Sequence, residues 1–133
     1  MNRLFRPRRR PAVWLALWFA GLALVAAASL LPAGDLPPAP FPGVDKLEHM
    51  VGYGMLSAYA AMLFAPARAR LAAAAGLLAF GIGIEAAQET LTATREADAA
   101  DVLANAAGIA LGQLVAFTRL SGLLAAIDAR LRA

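Results

Sequence analysis

Residues 12–31 read AVWLALWFAGLALVAAASLL, from Ala12 to Leu31, with no charged side chain anywhere in the run. A helix crossing a hydrocarbon core of about 30 Å needs roughly 20 predominantly apolar residues, so this stretch is long enough to span one. The rest of the chain agrees. Hydrophobic residues make up 61% of its 133 positions and charged residues 16%, against roughly 25% charged in soluble domains. Mean hydropathy is +0.64. A chain of this length holds one domain and has room for about four spans. The expected fold is therefore an all-α membrane protein with four transmembrane helices.

Working outward from Leu31, Pro32, Pro37, Pro38, Pro40 and Pro42 with Gly34 and Gly43 form a loop that cannot be a continuous helix. A second apolar stretch runs from Leu47 to Ala65, with Glu48 and His49 at its start, and Pro66 ends it. Residues Ala67 to Arg70 read as a tight turn. A third stretch, Leu71 to Leu91, is interrupted late by Glu85, Gln88 and Glu89. A fourth, Asp101 to Phe117, carries Asn105 and Gln113. In the tail, Leu120, Leu123, Leu124, Ile127 and Leu131 recur at helical spacing beside Arg119, Asp128, Arg130 and Arg132. That pattern predicts a short amphipathic helix lying at the membrane surface. The domain plan is thus a basic N-terminus (1–11), a transmembrane domain (12–118) and an amphipathic tail (119–133).

Arg8, Arg9 and Arg10, an apolar run and Ala26-Ala27-Ala28 have the outline of a secretory signal peptide. A signal's apolar region is about 7–15 residues, and this run is longer, so an uncleaved first span is expected. Of the twelve Lys and Arg residues, all but Lys46 and Arg95 fall in the N-terminal segment, the loop after the second span, or the tail. With an even number of spans these regions share a side, and the positive-inside rule makes both termini cytoplasmic. The acids lean the other way, with only Asp128 on the basic side. A formal charge of +3 could imply nucleic acid, but arginines flanking apolar runs are explained by a bilayer, and no nucleic-acid partner is expected. The absence of cysteine excludes disulfides and thiolate metal sites.

This topology brings three segments to one depth near the outer face. Asp45, His49 and Tyr53 share a stripe at four-residue spacing, with Lys46 and Glu48 beside them. Glu85, Gln88 and Glu89 form a second stripe, and Asp98, Asp101 and Asn105 a third. Glu85 lies roughly 20 Å along its helix from the cytoplasmic end. An ionisable group at that depth must pair or face a wet cavity, with His49, Arg95, Tyr53 and Asn105 within reach, Arg95 or His49 foremost. His49, Glu85 and Arg95 are the candidates for catalysis. Asp45, Lys46, His49, Tyr53, Glu85, Gln88, Arg95, Asp101 and Asn105 are the candidate binding set.

Plainer roles compete. Asp45 with Glu48, and Asp98 with Asp101, have the spacing of helix N-caps followed by an acid. Lys46 and Glu96 read singly as solvated loop charges. Ala104, Gly108 and Gly112 make a small-residue stripe suited to close helix packing. Trp14 and Trp18 read as interfacial anchors or lipid-facing aromatics. A metal site from His49, Glu85, Glu89 and Asp101 is conceivable, but one histidine among scattered carboxylates is a weak signature, so neither metal nor cofactor is expected.

Asp45-Lys46-x-x-His49-x-x-x-Tyr53, then Glu85-x-x-Gln88, then Arg95 with Asp101 and Asn105-x-x-Gly108, resembles the VanZ-like family of small bacterial membrane proteins. The likeness covers about residues 45–115. It departs at Asp98, where a small hydroxyl residue is more usual. The resemblance implies a multi-pass protein of the bacterial cytoplasmic membrane and a cell-envelope context, since the namesake confers resistance to the glycopeptide teicoplanin. It implies no reaction. The leading expectation is an outer-face polar pocket for a lipid-linked or envelope ligand. The alternative is a membrane-embedded enzyme acting on a phosphorylated lipid-type substrate. A transporter ranks last, because its binding residues should lie near the midplane.

Overall fold

Pro11 opens the first helix, α1 (Pro11–Ser29), at a position where its missing N–H costs nothing. A computed structural model describes residues 3–7 and 9–131, so Arg8 and Arg132, counted above among the basic residues, lie outside the described residues. The proline-rich loop carries only a short 3-10 turn, Ala33–Asp35. Gly43 then adopts a left-handed φ of 83°, a conformation that favours glycine, and starts α2 (Val44–Leu63). Pro66, in extended conformation, precedes α3 (Ala67–Leu91). Asp98 caps α4 (Ala99–Gln113) by accepting from Ala100 N at 2.8 Å, and a 3-10 turn continues that helix to Phe117. A third 3-10 turn, Arg119–Gly122, leads into α5 (Leu123–Arg130). Among the described residues every regular element is helical, and an isolated backbone bridge joins Phe5 to Phe64.

Two boundaries correct the sequence reading. Ala67 to Arg70 are the first turn of α3 and not a separate turn, because Pro66 fits the extended position just before a helix. The cap of α2 is Gly43, and Asp45 lies inside the first turn with no side-chain capping bond. The capping role expected for Asp98 is the one observed.

By length and composition, three helical segments can cross a membrane: Pro11–Ser29, Ala67–Leu91 and Ala99–Phe117. α2 has spanning length at 20 residues, but Asp45, Lys46, Glu48 and His49 crowd its first two turns, and it does not join them. The distribution of side chains is inverted relative to a water-soluble domain. Leu24, Met55, Leu103 and Phe117 are exposed, while Ser57, Glu85, Gln88, Asp101, Asn105 and Asp128 are buried. A surface this apolar calls for lipid as solvent, where polar groups must find partners inside. The chain is a membrane-embedded multi-pass protein.

α2 and α4 pack closest, and glycine makes this possible. A Cβ on Gly108 would come within 3.0 Å of Gly54 N, and one on Gly112 within 2.7 Å of Ala58 N. In lipid, such close backbone approach supplies the van der Waals contact that holds helices together. Ser57 Oγ adds a bond to Ile109 O at 2.8 Å, and Gln113 Nε2 reaches Ser57 Oγ at 2.9 Å.

At the opposite end of the bundle the N-terminal segment docks on the α2–α3 turn, through Arg6 N to Leu63 O at 2.9 Å and Ala65 N to Leu4 O at 2.8 Å. Asp128 of α5 accepts from Trp14 Nε1 at 3.0 Å and from Arg9 N at 2.8 Å. Asp128 is therefore a buried anchor for α1, and α5 packs on the bundle as well as lying at its end. Trp14 and Trp18 face inward, correcting their reading as anchors or lipid-facing groups. Trp18 Nε1 donates to Leu56 O at 3.0 Å. An indole N–H needs an acceptor once out of water, and only the bundle interior offers one.

Candidate functional site

The first turns of α2 and α4 meet because their glycine-lined faces are pressed together. Lys46 Nζ lies 2.7 Å from Asp45 Oδ2, 2.6 Å from Asp98 Oδ2 and 2.8 Å from Asp101 Oδ1. Lys46 is thus the centre of a charge cluster, and its reading as a solvated loop charge is corrected. Asp98, in the loop before α4, is held below the usual carboxylate range, chiefly by its hydrogen bond from Lys46 and then by the Ala100 amide.

One turn deeper, His49 Nδ1 stands 3.0 Å from Asn105 Oδ1, and its Nε2 faces Asp101 Oδ2 at 3.6 Å. As placed, the amide oxygen faces the ring and accepts from Nδ1–H. The His49 ring lies parallel to that of Tyr53, with centroids 6.4 Å apart, and Tyr53 packs in turn against Phe80. Glu85, only 4% exposed, accepts from Asp98 N at 3.1 Å through Oε2. Its Oε1 has no hydrogen-bond partner, and neither do Tyr53 Oη and Asn105 Nδ2. Gly81 leaves room for the last two, since a Cβ there would lie 2.8 Å from Asn105 Nδ2 and 3.3 Å from Tyr53 Cζ.

Arg95 goes elsewhere. It donates through Nη1 to Ser29 O at 3.0 Å and Leu31 O at 3.4 Å, satisfying carbonyls freed at the end of α1. Gln88 donates to the same Ser29 O at 2.8 Å. The partner of Glu85 is therefore the Asp98 amide and not the Arg95 side chain. Arg95 and His49 nevertheless line one cavity of about 210 Å³ with Val25, Ala28, Leu36, Glu48 and Tyr53.

Asp45, Lys46, His49, Glu85, Asp101 and Asn105 thus gather into one connected cluster, and Arg95 and Gln88 sit across from it at the C-terminal end of α1. The α1 contribution was not foreseen. Val25, Ala28 and the Ser29 carbonyl belong to an apolar run in which no side-chain pattern marks a binding wall. His49, Glu85 and Asp101 each offer a ligand atom within 4.8 Å of the others, an arrangement that could hold a metal ion. Three of the four residues weighed for that role from sequence thus converge, while Glu89 is exposed and outside the group.

No protein-family model, curated protein or solved structure matches this chain. Fold and surface alone therefore define its class: a helical membrane protein with a buried polar cluster at one end and basic segments at the other.

Proposed function

We propose that this chain is a VanZ-like protein of the bacterial cytoplasmic membrane, whose cavity binds a lipid-linked or cell-envelope ligand with an anionic head and an apolar tail. One observation carries the reading. Among the described residues Arg95 has no carboxylate within ion-pairing distance, although it lines a cavity with Glu48, His49, Tyr53 and apolar residues of α1. A half-buried guanidinium in the loop between α3 and α4, held by neutral carbonyls beside an apolar wall, is suited to an anionic ligand group. Its Nη1 is occupied by carbonyls, which leaves Nε and Nη2 for a phosphate or carboxylate. Val25, Ala28 and Leu36 supply the apolar surface for an acyl or isoprenoid chain. Any part in glycopeptide resistance would follow from capture of such an envelope component.

Native mass spectrometry of protein extracted in mild detergent tests this. Wild type should retain a lipid that Arg95→Ala loses while keeping its helical content. Identical lipid retention by both would refute the reading.

A second reading, an enzyme acting on a phosphorylated lipid-type substrate, is favoured by the position of His49, which belongs both to the cavity wall and to the carboxylate cluster. An imidazole there could pass a proton between a bound headgroup and the cluster. Turnover of a phosphorylated lipid by wild type and its loss in His49→Gln, with lipid retention intact, would support this reading over binding alone.

A further inference from the structure

The geometry points to a divalent transition-metal site, suited to Zn²⁺, formed by His49, Glu85 and Asp101. It stands independently of what fills the adjacent cavity.

Each of the three residues brings a ligand atom within 4.8 Å of the others, from α2, α3 and α4 respectively. In a tetrahedral zinc site with bonds of roughly 2.1 Å, neighbouring ligand atoms lie about 3.4 Å apart. His49 Nε2 and Asp101 Oδ2 are already 3.6 Å apart, too far for a good direct hydrogen bond and close to the spacing a shared cation imposes. Asn105 Oδ1 accepts from His49 Nδ1 at 3.0 Å, leaving Nε2 as the ligand. This outer contact is of the kind that orients metal-binding histidines. Lys46 holds Asp101 through Oδ1 and so leaves Oδ2 free.

An independent observation comes from Glu85. Its Oε1 is buried without a donor, while Oε2 is fixed by the Asp98 amide. A buried carboxylate oxygen in an apolar bundle requires a cation or a donor. The nearby ammonium, Lys46, is bound to Asp45, Asp98 and Asp101 instead. A divalent cation would satisfy Glu85 Oε1 and reduce the negative charge of the cluster. Three protein ligands leave a fourth position for water or an anion. Tyr53 Oη and Asn105 Nδ2, both buried and unpartnered, are available to hydrogen-bond that fourth group. Imidazole among the ligands favours zinc over magnesium.

The test uses full-length protein in detergent, stripped with chelator and titrated with Zn²⁺ by calorimetry, with elemental analysis for stoichiometry. Wild type should bind one Zn²⁺ per chain, far more tightly than Mg²⁺. His49→Ala, Glu85→Gln and Asp101→Asn should each weaken binding by at least about 100-fold, and Asn105→Ala by about 10–100-fold. Arg95→Ala should lose the lipid of the proposed function and keep the metal, which separates the two readings. Absence of stoichiometric Zn²⁺ in wild type, or wild-type affinity in a monodisperse Glu85→Gln, would overturn the site. If a ligand variant fails to fold, wild type loaded with Co²⁺ decides: strong four-coordinate visible absorption supports the site, and a weak six-coordinate spectrum overturns it.

Discussion

Lys46 Nζ and Asp101 Oδ1, 55 residues apart in sequence, lie 2.8 Å from each other. The bond ties the first turn of α2 to the first turn of α4 at the end where Asp45 and Asp98 also converge on the same ammonium. Three carboxylates on one lysine make this end of the bundle sensitive to acid.

The pH dependence has a definite sign. Asp98 has a lower pKa folded than unfolded, with the Lys46 hydrogen bond as the first cause. Its contribution is therefore complete above the unfolded value of about 3.9 and is lost as pH falls through the lower folded value. The thermal midpoint of wild type should fall below about pH 4, and Asp98→Asn should flatten that fall. Asparagine caps a helix about as well as aspartate, so the comparison isolates the charge. An equal acid-side slope in both proteins would mean that Asp98 does not carry the effect.

The α2–α4 contact should tolerate no side chain at Gly108. A Cβ there would come within 2.9 Å of Met50 C and 3.0 Å of Gly54 N, backbone atoms that cannot rotate away. Gly108→Ala should destabilise the fold by about 1–3 kcal/mol. Gly83→Ala, at an exposed site in α3 with nothing within 4 Å, should be neutral or stabilising by up to about 1 kcal/mol. Thermal melts in detergent would check the pair.

At the other end, Asp128→Ala should be costly. It removes the acceptor of two buried or half-buried donors, Trp14 Nε1 and Arg9 N. Bonds of this charged kind are worth about 1.5–3 kcal/mol. Trp14→Phe, which keeps most of the ring and loses the donor, should cost less. Denaturation midpoints that rank the two variants in the reverse order would show that packing, and not the carboxylate, secures α5.

Charge predicts an orientation that can be tested. The basic residues Arg6, Arg9, Arg70 and Arg130 belong to segments at the end opposite Lys46. If that end is cytoplasmic, reporter fusions at the C-terminus that work only outside the cytoplasm should be inactive. Strong activity from such a fusion would reverse the topology and put the polar cluster on the inner side.

What the sequence determined by itself was the solvent and the element type. Twenty uncharged, predominantly apolar positions from Ala12 to Leu31 can satisfy their backbone in lipid only as a helix, wherever their neighbours lie. The helical spacing that put Asp45, His49 and Tyr53 on one stripe is likewise local, as is the capping of α4 by Asp98. Tertiary structure alone decided which stripes touch. Glycines at 54, 108 and 112 drew α2 and α4 together, and that approach turned Lys46 from a loop charge into the hub of the cluster. Arg95 could reach Glu85 by sequence, yet the freed carbonyls of Ser29 and Leu31 claimed it. The orphaned Oε1 of Glu85 is of the same kind, because burial and hydrogen-bond partners are properties of packed neighbours and no local pattern encodes them.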